Sequence, residues 1–350
     1  MLNFIFGDKN ANTDLIFEES NQILKSLCIL MNEYLLIGKL DGNLLIYDIK
    51  QKVRLYEDKI SNKSINYLMA YSEDTLLFFS CSEEPEIKLF QLIIKENNIF
   101  LYLVSIFNIH ESGVKRIKSL KNNNFVSCSN DSSLVIWNLK GESLFKLKNH
   151  SIGLENFIII FNKNEINNLI TLNNKGALCF YRNIDENLFL DKILLDIDYT
   201  SSYTMSKISK DKIFIGGYSS IQIISIKTFQ IDTIIKIKEA ISFIYESNPN
   251  FIVFGLKNGK LEFRDKNSLS ILEEKKINFL EKDLKNFKYS NLFKEGEVKL
   301  FDNESVVSFG ISNDLLICIS DENIRFFNGS NEKKKQIIKR NFTFFKKKII

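Results

Sequence analysis

Histidine and cysteine, which often bind metals or take part in catalysis, are scarce in this sequence. The chain of 350 residues contains two histidines, His110 and His150, and five cysteines. A zinc site needs three or four Cys, His or carboxylate ligands close together, and the sequence has no Cys-x-x-Cys pair. We therefore expect no zinc site and no cofactor, and we expect the cysteines to be buried free thiols.

Motifs for nucleophilic catalysis and phosphate binding are also missing from the sequence. There is no Gly-x-Ser-x-Gly segment of the kind that presents a catalytic serine. The segment GLKNGKL at residues 255–261 is one residue shorter than a phosphate-binding loop, and it lacks a Ser or Thr after Lys260. The sequence therefore predicts a protein that is not an enzyme.

A short acidic cluster, Glu83-Glu84-Pro85-Glu86, contains three carboxylates within four residues. It lacks the alternating ligand spacing of a calcium-binding loop. We interpret it as a solvated turn, which is also a surface that could meet a basic partner.

A pattern of two apolar runs joined by a polar turn recurs along the chain. Clear copies are YLLIGKLDGNLLIYD, FVSCSNDSSLVIWN and LICISDENIRFFN. Aligning the copies on one turn position gives seven anchors, separated by 43, 47, 44, 44, 39 and 63 residues. Most of these intervals match the roughly 40–45 residues of a four-stranded propeller blade. The anchors are Asp41, Glu84, Asp131, Lys175, Ser219, Asn258 and Asp321.

Residues at fixed distances from the anchors support the alignment. The positions three and five residues after each anchor are apolar in every repeat, apart from Gln222, which indicates a strand with one buried face. The position three residues before the anchor is small in six repeats, where strands crowd around a central axis. Those small residues are Gly38, Cys81, Cys128, Gly216, Gly255 and Cys318.

The third repeat, IHESGVKRIKSLKNNNFVSCSNDSSLVIWN, resembles a WD40 repeat, and His150 matches the histidine position of the fourth. The resemblance implies an all-β, seven-bladed WD40-type β-propeller, with repeats over about residues 23–330 of a single domain spanning 1–350. In that family a His, a Ser or Thr, an Asp and a Trp form a hydrogen-bonded tetrad within a blade. The resemblance places His110, Ser127 or Ser129, Asp131 and Trp137 in this structural tetrad.

Two further elements are expected outside the regular repeats. The long last interval contains Leu280, Leu284 and Phe287 at helical spacing. This spacing predicts a short helical insertion at about residues 276–296, between blades 6 and 7. Ring closure requires a strand from one end of the chain, and LNFIF or TDLIF within residues 1–18 are the candidates.

The C-terminal segment 333–350 is strongly basic and has no acidic residue. The chain has a net charge of +4, so the rest of it, residues 1–332, carries −4. Residues 337–345 either form the outer strand of the last blade, which we prefer, or belong to a basic segment that binds an anionic membrane or RNA. The basic residues are Lys333, Lys334, Lys335, Lys339, Arg340, Lys346, Lys347 and Lys348.

The resemblance implies a non-catalytic interaction scaffold, a subunit of a multiprotein complex that binds protein partners through the loops of one propeller face. The residues expected on that face are Asp41, Glu83, Glu84, Glu111, Ser151 and Asp321. Alternatives are a phosphoinositide-binding propeller, although the Phe-Arg-Arg-Gly motif is absent, and a subunit of an RNA-associated complex. With no secretory signal and no apolar run of about 18 residues, we expect a cytoplasmic or nuclear protein, neither secreted nor transmembrane.

Overall fold

A computed structural model of the chain shows an all-β propeller built from antiparallel sheets. The described residues form 28 strands and contain no α-helix. None of their segments is a helix long and apolar enough to cross a membrane. The structure describes residues 13–18, 23–95, 98–120, 123–148, 152–162, 165–184, 187–200, 204–207, 211–245, 251–265, 267–271, 297–299, 306–312, 315–320 and 323–328.

Six four-stranded sheets, here called blades 1 to 6, are each built from four consecutive strands. Blade 1 contains β2 (Leu24–Leu30), β3 (Tyr34–Lys39), β4 (Asn43–Asp48) and β5 (Val53–Lys59). Blade 2 contains β6 (Ile65–Ala70), β7 (Leu77–Ser82), β8 (Ile87–Lys95) and β9 (Asn98–Phe107). Blade 3 contains β10 (Val114–Ser119), β11 (Asn124–Ser129), β12 (Leu134–Asn138) and β13 (Ser143–Leu147).

The next three blades follow the same order along the chain. Blade 4 contains β14 (Leu154–Asn162), β15 (Glu165–Asn173), β16 (Leu178–Ile184) and β17 (Asn187–Leu194). Blade 5 contains β18 (Met205–Lys207), β19 (Lys212–Gly216), β20 (Ser220–Ser225) and β21 (Gln230–Lys236). Blade 6 contains β22 (Ile241–Tyr245), β23 (Phe251–Leu256), β24 (Lys260–Asp265) and β25 (Glu297–Lys299).

A seventh four-stranded sheet, the closing sheet, joins the two ends of the chain. It contains β26 (Val306–Ser312), β27 (Leu315–Ser320), β28 (Asn323–Asn328) and β1 (Thr13–Glu18). β1 pairs with β28, from Thr13 opposite Phe327 to Glu18 opposite Asn323. β1 contains TDLIF, the second of the two segments considered for closure.

The first strands of successive sheets contact one another in a closed ring, β2 to β6, β10, β14, β18, β22, β26 and back to β2. Hydrophobic clusters fill the spaces between neighbouring sheets. One of them joins Leu45 and Tyr47 of blade 1 to Ile317 and Ile319 of the closing sheet. Closure buries apolar surface on both sides of a sheet, which is the main driving force for assembly of the ring.

Contacts between neighbouring blades explain two glycines of the column of small residues. A Cβ atom at Gly38 would collide with Ile65 of blade 2, and one at Gly216 would come within 2.7 Å of Ile241 in blade 6. All five cysteines are buried and unbridged. Burial raises the pKa of the Cys28 and Cys128 thiols to about 12, so these cysteines are packing residues and not nucleophiles.

Irregularities of the backbone recur from sheet to sheet, as the side-chain pattern does. A register shift near the start of the first strand recurs in blades 1, 2, 3, 4 and 6 and in the closing sheet. A second shift recurs between the third and fourth strands of blades 1 to 5. Because such bulges bend a strand at a fixed place, they show that one structural unit is repeated even where its sequence has diverged.

Two expectations about the last part of the chain need correction. The long interval does not lie between blade 6 and the closing sheet: it separates β24 from β25, which pair within blade 6. The predicted helix at 276–296 falls outside the described residues. The prediction that residues 337–345 form the last outer strand is wrong, because β1 occupies the position beside β28. The basic segment 333–350 also lies outside the described residues.

This closure predicts unequal effects of truncation at the two ends. Removal of residues 1–18 deletes β1 and exposes the edge of β28, so we expect Tm to fall by at least about 5 °C. Removal of residues 332–350 leaves all 28 strands present and should change Tm by less than about 2 °C. Thermal melts of both truncations test this, and equal losses of stability would contradict the assignment of β1.

Candidate functional site

Four side chains suggested by the WD40 resemblance meet in blade 3. His110 lies in the segment between β9 and β10, Ser127 lies in β11, and Trp137 lies in β12. Asp131 lies in the turn between β11 and β12. Antiparallel pairing of β11 and β12 places Trp137 opposite Phe125, and Ser127 is close to Phe125 along β11.

These side chains form a continuous chain of hydrogen bonds. Trp137 Nε1 donates to Ser127 Oγ over 3.1 Å, and Ser127 Oγ lies 2.8 Å from His110 Nε2. His110 Nδ1 lies 3.0 Å from Asp131 Oδ2. Every group is satisfied when the serine hydroxyl donates to Nε2 and Nδ1–H donates to the carboxylate. A fully satisfied buried network of this kind fixes one arrangement of the blade.

The structure distinguishes the two serines that the sequence left open. Ser127 holds the central position of the tetrad. Ser129 has another role: its hydroxyl lies 2.9 Å from both the Ser112 and Gly113 carbonyl oxygens and accepts a hydrogen bond from the Asp131 amide over 3.0 Å. Ser129 therefore fastens the turn to the segment that precedes β10.

Ser133 is a member of the network that the sequence analysis missed. Its hydroxyl donates to Asp131 Oδ1 over 2.6 Å and its amide donates to the same oxygen over 2.8 Å. The Glu111 amide donates to the other oxygen over 2.9 Å. The Asp-x-Ser spacing is a common turn signal and could have identified Ser133.

The carboxylate of Asp131 is held in its charged form by these donors. Its side chain is only 4% exposed. Burial by itself would raise the pKa of Asp131, but hydrogen bonds from His110, Ser133 and the Glu111 amide outweigh burial and hold the pKa well below its usual range. Protonation of Asp131 therefore opposes folding.

Glu84, predicted to contact partners, makes the corresponding link in blade 2. It occupies the anchor position of Asp131, and it accepts hydrogen bonds from Ser61 Oγ at 3.0 Å and the Asn62 amide at 3.2 Å. Lys88 Nζ lies 3.1 Å from the same carboxylate. Burial would raise the pKa of Glu84, but these donors lower it overall. Glu84 therefore supports the fold.

Glu83 joins blade 2 to blade 3. It accepts hydrogen bonds from Lys115 Nζ at 2.7 Å, Asn66 Nδ2 at 3.1 Å and Asn130 Nδ2 at 3.0 Å. The expectation that Glu83 and Glu84 form a freely solvated acidic turn needs correction, because donors within the chain already satisfy both carboxylates. Charge reversal at either position would disturb packing as well as any contact with a partner.

A carboxylate also fastens the turn of blade 5, but it lies on the segment before the first strand and not in the turn. Asp198 precedes β18 and accepts hydrogen bonds from the Tyr218 and Ser219 amides and the Ser220 hydroxyl, at 2.8, 3.1 and 2.7 Å. Burial would raise the pKa of Asp198, but these donors lower it overall. Asp198 lies outside the turn positions that recur between repeats, so the repeat pattern does not indicate it.

The remaining residues suggested for the partner-binding face are more exposed or are not described. Asp41 is exposed and accepts hydrogen bonds from the backbone and side chain of Asn43, both at 3.0 Å. Glu111 is 68% exposed and lies 3.2 Å from Lys148 Nζ. Those outside the described residues are His150, Ser151 and Asp321.

Ser127, His110 and Asp131 have the connectivity of a hydrolase triad, with serine and carboxylate on opposite imidazole nitrogens. A nucleophilic serine must reach a substrate carbonyl. Ser127 has no exposed surface, and its oxygen is also occupied by Trp137. The arrangement thus stabilises the blade. Among the described residues, no group of three or more His, Cys, Asp or Glu side chains is placed to hold a metal ion.

The fold and this site define a β-propeller in which polar contacts hold the loops of one face. A scan against protein-family models and a search of curated proteins both found no match.

Substitution at two equivalent anchors tests the structural role of the network. Asp131→Ala leaves several buried donors unpaired and should lower the free energy of unfolding by about 1–3 kcal/mol. Asp41→Ala, at the same position of blade 1, removes exposed contacts only and should cost less than about 0.5 kcal/mol. Urea unfolding of both variants measures the difference, and a loss of stability in Asp131→Ala no larger than that in Asp41→Ala would contradict the structural role of the network.

The lowered pKa of Asp131 predicts a pH dependence. Its contribution to stability is complete above about pH 5, and it is lost as the pH falls through about 4, the unfolded value, towards the lower folded value. Asp131→Asn does not titrate, so the stability difference from wild type should shrink as the pH is lowered from 5 to 3. Unfolding measured at pH 7, 5 and 3.5 checks this, and a constant difference would contradict it.

Proposed function

We propose that this chain is a seven-bladed WD40-type propeller that acts as a non-catalytic scaffold for protein partners in a larger assembly. The observation that carries the proposal is the hydrogen-bonded chain Trp137, Ser127, His110 and Asp131 in blade 3. It combines the residue types and the connectivity of the WD40 tetrad in one blade. The closed ring of sheets supplies the rigid body that such a scaffold needs.

The loop face is the end of the propeller that carries the turns between second and third strands and the segments before the first strands. Its loops are held by Asp131, Glu84 and Asp198, so they present a defined surface. Binding by loops on a rigid scaffold is the usual division of labour in proteins. Preorganised loops lose little entropy when a partner binds, which favours specific recognition.

Apolar side chains on the loop face are available for contact. Leu40 is 44% exposed in the turn of blade 1, and Tyr218 is 60% exposed in the turn of blade 5. The Tyr218 ring lies 4.8 Å from Lys257 Nζ. Aromatic residues are enriched at protein interfaces, so these turns are the preferred contact points, in place of the satisfied carboxylates of Glu83 and Glu84.

Matched substitutions on the two faces of blade 1 test this function. Leu40→Glu places a charge on the loop face, whereas Met31→Glu changes a side chain that is 42% exposed in the turn at the opposite end. Quantitative affinity purification of the tagged full chain should recover partners equally with wild type and Met31→Glu. Recovery with Leu40→Glu should fall about tenfold, which corresponds to about 1.4 kcal/mol of binding energy.

The melting temperatures of both variants serve as the control for folding. Partners retained by Leu40→Glu and lost by Met31→Glu would place binding on the opposite face and refute the proposal. If no other protein is recovered in a constant ratio to the chain, the result would argue against a scaffold.

A further inference from the structure

The outer strand of blade 2, β9, differs from every other outer strand of the propeller. It has ten residues, NIFLYLVSIF, with no charged side chain among them. The outer strands of the other six sheets, β1, β5, β13, β17, β21 and β25, each contain at least one charged residue. Charged side chains on edge strands hinder pairing with other chains, and β9 lacks this protection.

Several large apolar side chains of β9 are exposed. Tyr102 is 60% exposed and Phe100 is 53% exposed, and both lie on one face of the strand because they are two residues apart. A register shift near the middle of β9 changes the alternation, and three more apolar residues are at least 40% exposed, namely Leu103, Val104 and Ile106. Apolar surface is therefore exposed along most of the strand.

The far edge of β9 is also open among the described strands. Blade 2 has the order β6-β7-β8-β9, so β9 pairs with β8 alone. Peptide groups of alternate residues therefore point away from the sheet. An incoming strand would find both hydrogen-bonding groups and apolar side chains there.

We propose that β9 is a self-association edge, which pairs antiparallel with β9 of a second copy of this chain. Antiparallel pairing of identical strands has two-fold symmetry, so the same surface is used on both copies. An uncharged strand then lies opposite an uncharged strand, and no charge is buried. A strand of another protein that carried charges along its length would have to desolvate them against Phe100 and Tyr102.

The surface available is of a suitable size for a reversible dimer. The exposed parts of the five side chains amount to roughly 400 Å² per copy, from typical side-chain areas. Because these side chains lie on both faces of the strand, edge-to-edge pairing covers only part of this area, and the interface is at the small end of the range for protein contacts, as in a weak, reversible dimer. The pairing lies on the rim of the propeller and leaves the loop face open, so it is independent of the scaffold function proposed above.

Matched charge insertions on two outer strands test the proposal. Tyr102→Lys places a charge on the β9 edge, and Ile234→Lys makes the same change at a residue that is 57% exposed on β21. Sedimentation of the full chain from about 1 to about 100 μM should show a monomer–dimer equilibrium. Dimerisation should weaken at least about tenfold in Tyr102→Lys and stay unchanged in Ile234→Lys.

Cysteine cross-linking provides a second test that does not depend on removing the interface. All five native cysteines are buried, so Tyr102→Cys adds an accessible thiol near the two-fold axis. Oxidation with copper phenanthroline should link two copies of Tyr102→Cys and should not link Ile234→Cys. A wild-type chain that stays monomeric at about 100 μM, or a dimer that persists in Tyr102→Lys, would overturn the proposal. A dimer that is lost only when residues 332–350 are removed would also overturn the proposal.

Discussion

The hydrogen bond between a turn carboxylate and the segment that enters the same blade is the contact on which the loop face depends. In blade 3 it joins Asp131 to His110, and in blade 2 it joins Glu84 to Ser61. In blade 5 the roles are reversed, because Asp198 lies on the entering segment and Ser219, which donates to it, lies in the turn. In these three blades the shared feature is a satisfied carboxylate at this place, and the residue types that supply its donors differ.

A second set of contacts joins some of the blades to the segment that follows them, through the backbone. The Gly42 carbonyl of blade 1 accepts from the Ser61 amide at 3.2 Å, and the Gly176 carbonyl of blade 4 accepts from the Ile197 amide at 2.9 Å. Both glycines have φ near +80 to +88°, and a Cβ at either would press on the backbone of the following segment. Glycine is thus required in these turns by conformation and by space, and these backbone contacts do not depend on the side chains of the segment they reach.

The sequence predicts which residues are buried far better than it predicts which residues form hydrogen bonds with one another. The apolar and small columns that include Leu44 and Gly38 were predictable, because alternation reports which face of a strand is buried. The roles of Glu83 and Asp198 were not, since their donors come from distant segments and only the fold brings them together. The closing strand was ambiguous for the same reason: local pattern shows that a segment can form a strand, but pairing of β1 with β28 is decided by the geometry of the ring.

Closure of the ring encloses the inner edge of each sheet but leaves the outer edge on the rim of the propeller. The inner strands are enclosed by their neighbours, but among the described strands each sheet still ends in an outer strand that pairs on one side only. Six of these edges carry charges, such as Arg54 and Asp58 on β5, which keep the rim solvated. The absence of charge along β9 is therefore meaningful in a propeller, because the same architecture protects every other blade. The loop face and the rim are consequently separate surfaces, one shaped by satisfied carboxylates and the other by an unprotected strand.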